Sequence, residues 1–156
     1  MSRYTLREEK ANAFTHAIGI PFGLVVTSLL MQKALPTNNY WLICSTLVYA
    51  AFMTFSYVTS TLYHSDKNEN RKLLRRKFDH AAIYVHIAGT YTPFTLVSLN
   101  GGTGWFIFSV VWAIAFAGII LKLFFTGRFK VLSTAMYVLM GWIIIFYFKE
   151  LTANLN

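Results

Sequence analysis

Apolar residues in this chain run in unbroken blocks rather than in alternation. Five blocks cover about residues 14–31, 40–63, 79–99, 105–125 and 131–148. Short polar breaks separate them: Pro36-Thr37-Asn38-Asn39, the stretch from Ser65 to Lys77, Asn100-Gly101-Gly102-Thr103-Gly104, and Thr126-Gly127-Arg128-Phe129-Lys130. A helix of about 20 apolar residues spans the hydrocarbon core of a bilayer. A β-barrel strand would instead alternate over about ten residues. A continuous apolar block in lipid satisfies its backbone only as a helix. The pattern therefore predicts an all-α, polytopic transmembrane helix bundle of five spans. A 1–13 amino-terminal amphipathic segment precedes the 14–148 membrane domain, and a 149–156 tail follows it. The first apolar run is too long for a signal-peptide core, so it reads as a retained span.

Composition agrees: 56% of residues are hydrophobic and 13% charged, against about a quarter charged in soluble domains. The net charge of +8 matters less than its placement. With five spans, Arg3, Arg7, Lys10, Lys67, Arg71, Lys72, Arg75, Arg76, Lys77, Lys122, Arg128 and Lys130 share one side, and Lys33 and Lys149 the other. The positive-inside rule then places the amino terminus in the cytoplasm and Asn156 outside. The expected location is a bacterial inner (plasma) membrane. The basic 67–77 stretch is expected to meet anionic headgroups of membrane lipids. Basic residues flank the aromatic runs instead of interleaving with them, so no nucleic-acid partner is expected. The single cysteine, Cys44, lies within a span and reads as a buried free thiol.

The polar residues within or beside the spans collect at one end. Glu8, Glu9, Asn12 and His16 open span one, Ser56, Ser60 and His64 close span two, and Asp79 and His80 open span three. Ionisable groups in such positions are costly and mark a site by default. Ser60 and His64, four apart, share a helix face. Asp79 and His86, seven apart, share another, with His86 about 10 Å deeper. Histidine with carboxylate fits a zinc site that keeps one position for water. His64 is the foremost candidate ligand, with His16, His80 and His86 weaker. Asp79 could orient or deprotonate the water and Ser60 support it. Against this stands the plainer reading of each histidine as a packing or interfacial residue, since no HxxxH or HExxH pair occurs. Thr5-Leu6-Arg7-Glu8 fits a capping box for a short surface helix. Gly89-Thr90-Tyr91-Thr92-Pro93 reads as a kink, and Gly118 as a helix contact.

These same residues resemble the hemolysin III family, which groups with the adiponectin and progestin receptors and more distantly with alkaline ceramidases. The resemblance lies in Glu8-Glu9-Lys10-Ala11-Asn12-Ala13-Phe14-Thr15-His16, Ser60-Thr61-Leu62-Tyr63-His64, Asp79-His80 followed by Gly89-Thr90-Tyr91-Thr92-Pro93, and Met140-Gly141-Trp142. It implies a seven-span bundle with a zinc site near the cytoplasmic face. By this resemblance His64 is a zinc ligand, and Ser60 and Asp79 stand beside the metal. The family's other two zinc histidines form an HxxxH pair on a seventh span. The five apolar blocks here provide no such pair, so the zinc site is expected to be incomplete. His16 or His80 would have to substitute, or a second chain in an oligomer contribute. Three functions follow as expectations: a metal-dependent hydrolase of a lipid amide or ester, a membrane-perturbing cytolytic protein, and a receptor-like or membrane-homeostasis protein without turnover. No span carries polar residues through its depth as a pore lining would.

Overall fold

Thr5 begins the first helix. Its hydroxyl accepts from the Glu8 amide, and the Glu8 carboxylate accepts from the Thr5 amide at 2.6 Å, a capping box that satisfies both ends of the turn. The helix so started, α1, runs without a break over Leu6–Ala34. The expected surface helix and span one are thus a single 29-residue element. The computed structural model describes residues 4–154. Arg3, counted on the basic side, and Asn156, expected outside, lie outside the described residues. Among the described residues every regular element is a helix.

A 3-10 turn, Leu35–Thr37, and the left-handed Asn38 end α1. Asn39 then caps α2, Tyr40–Ser65, by accepting from the Leu42 amide. Asn68 caps α3, Glu69–Pro93, by accepting from the Arg71 amide. Most of the basic stretch expected as a loop is therefore helix. Apart from Asn70, the residues from Glu69 to Lys77 are good helix formers, and their charges conceal this in a hydropathy pattern. Beyond Pro93 the chain widens into a π-helical segment, Phe94–Leu99. Asn100 turns it with a positive φ of 44° and accepts from the Gly101 amide. Helix α4 covers Gly101–Phe124, α5 Lys130–Phe146 and α6 Phe148–Ala153. Part of the expected tail is thus helical, and Leu151 is buried in the core.

Successive helices pack side by side, α1 on α2, α2 on α3 and α3 on α4, and α5 lies against α3 and α4. The core gathers Tyr84, Ile107, Val111, Ala115 and Met140. The Tyr84 hydroxyl donates to Ser133 on α5. Close approach between helices depends on glycine where Gly19 meets the Tyr57 ring and where Gly118 meets the Tyr84 ring. Leu6–Thr37, α2 and α4 are long and apolar enough to cross a membrane. Helix α5 is apolar but shorter, 17 residues, and α3 opens with its charged turns. The architecture is that of a helical membrane bundle. Cys44 departs from expectation: it is exposed on the bundle surface. Ser45 and Thr46 take the buried face of that turn, which leaves Cys44 on the outer one.

Candidate functional site

The start of α1, the end of α2 and the start of α3 meet at one end of the bundle. The meeting point is Glu9 of α1. Its Oε2 lies 2.8 Å from His64 Nδ1 and its Oε1 lies 2.7 Å from Lys72 Nζ. The Glu9 side chain is only 9% exposed. A carboxylate so withdrawn from water requires such partners, because burial of an unpaired charge is costly.

Aromatic rings enclose His64. Its imidazole stacks in parallel on His16 of α1, with centroids 5.9 Å apart, and the Tyr63 ring stands 4.6 Å away. Tyr4 meets it edge-on at 5.9 Å. Lys72 extends over the Tyr63 ring. One turn deeper on α2, Ser60 is buried. On α3, Asp79 Oδ2 lies 3.1 Å from His80 Nδ1, and the Tyr63 ring faces His80 edge-on at 6.4 Å. The His80 carbonyl accepts from the Tyr137 hydroxyl, which ties this turn to α5. Further into the bundle, His86 meets the Tyr57 ring, and Tyr57 also faces His16.

The structure thus joins His16 and His64 directly, links His80 to them through Tyr63, and pairs Asp79 with His80. His86, at a deeper level, is linked to His16 through Tyr57. Glu9 and Lys72 are the residues that sequence reasoning underrated. Glu9 is visible as part of a polar cluster, but its pairing with His64, 55 positions away, is a tertiary relation with no local signature. A cavity of about 680 Å³ opens beside the cluster, with Glu9, His64, Lys10, Phe14, Thr61 and Lys72 in its wall.

The turn between α2 and α3 is held separately. The Asp66 carboxylate, 1% exposed, accepts from the Asn68 amide and from Arg71 at 3.3 Å, and Arg75 lies 3.1 Å from Oδ2. The Arg75 contact is an ion pair rather than an aligned hydrogen bond. Arg75 also donates to the Leu62 carbonyl at the end of α2. The Asn68 amide is the main cause that holds the Asp66 carboxyl below its ordinary value; burial opposes it, and Arg71 and Arg75 add to it.

Zinc does not fit the described residues by themselves. Among them no three His, Cys, Asp or Glu side chains converge as a metal-holding group. Glu9 holds Nδ1 of His64, which leaves that histidine one available donor, Nε2, and Asp79 Oδ2 is engaged by His80. A tetrahedral site needs three protein ligands beside its water.

The haemolysin-III-related family matches residues 4–156. The chain is similar to the Hemolysin-3 homolog of Bacillus subtilis (strain 168), 41% identical over 153 residues, 98% of this chain and 72% of that protein. It is equally similar to Hemolysin-3 of Bacillus cereus, 41% identical over 158 residues, 100% of this chain and 72% of that protein. The human monocyte to macrophage differentiation factor is 27% identical over 147 residues, 88% of this chain and 59% of its own length. No solved structure matches the chain. The helical bundle, the matched length and these relatives agree: the chain belongs to the haemolysin-III-related family of membrane proteins.

Proposed function

We propose that the polar end of the bundle is a hydrolytic site for an amide or ester of a membrane lipid. The observation that carries this reading is the Glu9-held His64 in the wall of an open cavity, with His16 stacked on it and the Asp79–His80 pair beyond the Tyr63 ring. In such a site water adds to the acyl carbon, its proton passes to a base, and the carbon–nitrogen or carbon–oxygen bond breaks. The leaving amine or alcohol takes up a proton, and a fatty acid is released. Asp79 and His64 are the proton-handling groups in this reading, and Ser60 is a supporting hydroxyl. The zinc that the family resemblance attaches to His64 is not supported by the donor set described above, and no step runs through it. The test is fatty-acid release from N-acyl and O-acyl lipids by the purified chain in liposomes. Release that is lost in Asp79→Asn and in His64→Ala is expected. No release from any lipid of the panel would sink the reading.

A second reading is membrane perturbation, supported by the name Hemolysin-3 of the Bacillus cereus relative. Its test is dye leakage from liposomes on addition of purified protein. Leakage that persists in Asp79→Asn would favour this reading over hydrolysis.

A further inference from the structure

We infer that Glu9 is a positioning residue for His64, a residue of the cavity wall, one that places the imidazole proton on Nδ1 and leaves Nε2 unprotonated. The inference deepens the hydrolytic reading of this site and rests on it for its functional meaning. Its structural content stands on geometry alone.

The two carboxylate oxygens of Glu9 have divided duties. Oε1 takes the Lys72 ammonium at 2.7 Å, and Oε2 meets His64 Nδ1 at 2.8 Å. A carboxylate held by an ammonium is an acceptor only, so the atom facing it must donate. In a neutral imidazole, a proton on Nδ1 leaves Nε2 with its lone pair free to accept. The ring is also restrained in rotation. His16 stacks on one side at 5.9 Å with an interplanar angle of 5°, and Tyr63 stands 4.6 Å away. Lys72 contributes indirectly, since its ammonium anchors the Glu9 carboxylate to α3. Three helices thereby specify one tautomer of one histidine. For a residue that must accept a proton from water or coordinate a Lewis acid, that is the required tautomer.

A purely structural role for Glu9, as a tie between α1 and α3, would not determine which nitrogen of His64 carries the proton. The test is therefore nitrogen NMR of imidazole-labelled full chain in nanodiscs, in alkaline buffer, with the His64 signals assigned by their loss in His64→Gln. In the unaltered chain, Nδ1 is expected in the protonated range and Nε2 in the unprotonated range. Glu9→Ala is expected to lose that preference. Glu9→Gln, whose amide oxygen still accepts, is expected to retain it, as is Lys72→Met. A His64 protonated on Nε2 in the unaltered chain overturns the proposal, whether or not any variant folds. So does a folded Glu9→Ala chain with unchanged signals. The readout needs no turnover. A correct tautomer without lipid hydrolysis would therefore remove the hydrolytic reading and leave the positioning role.

Discussion

Tyr84 and Gly118 fill one another's space. The Tyr84 ring, from α3, lies where a β-carbon at position 118 of α4 would stand. Tyr84 is fully buried, and its hydroxyl donates to Ser133 of α5, so this one contact joins three helices. Gly118→Leu is expected to destabilise the bundle by about 1–3 kcal/mol, the usual cost of overpacking a well-filled interior. Thermal unfolding in detergent measures it. An unchanged midpoint would mean that α3 and α4 can separate at little cost.

A second tyrosine clips α3 to α5. The Tyr91 hydroxyl donates to the Gly141 carbonyl at 3.3 Å and accepts from the Ile144 amide at 3.1 Å. Tyr91→Phe removes both contacts while keeping the ring. The expected loss is about 0.5–1.5 kcal/mol, the usual net contribution of an intramolecular hydrogen bond. Faster amide exchange at Ile144 would locate the effect.

The Asp66 turn predicts an acid-sensitive step. Its carboxyl is held below the ordinary value of 3.8, chiefly by the Asn68 amide. The unfolded turn therefore binds the proton more tightly than the folded one. Stability from this group is fully present above the unfolded value, and is lost as pH falls through the lowered folded value. Protease cleavage between α2 and α3, followed from neutral to strongly acidic pH, is expected to rise over that window. In Asp66→Asn the cleavage is expected to be faster at neutral pH and to lose this acid-dependent component.

Sidedness is testable by labelling. In a Cys44→Ser background, single cysteines at Asn38 and at Lys67 lie at opposite ends of α2. An impermeant maleimide applied to bacterial spheroplasts is expected to label the Asn38 position and to reach the Lys67 position only after permeabilisation. The reverse pattern would invert the orientation drawn from the charge distribution.

The helical bundle was legible because apolar blocks of membrane length have one stable form, and the capping box at Thr5 was legible because it is a local pattern. The candidate site was legible only as an inventory. Spacing four apart places Ser60 and His64 on one face, but it cannot pair His64 with a carboxylate on another helix. The early start of α3 was hidden by its charges, which read as loop although Glu69 to Lys77 favour helix. The π-helical segment after Pro93 and the burial of Leu151 arise from packing among distant elements, and periodicity does not encode them.

The length of α1 sets a depth. At about 1.5 Å per residue, its 29 residues extend roughly 44 Å, well beyond a hydrocarbon core of about 30 Å. For a helix near the bilayer normal the excess lies outside the hydrocarbon, and the capped end with Glu9 carries the charge that prefers water. The mismatch thus raises the Glu9–His64 pair toward the headgroup layer. In the hydrolytic reading proposed above, that is the level of a lipid's acyl linkage rather than of its tail.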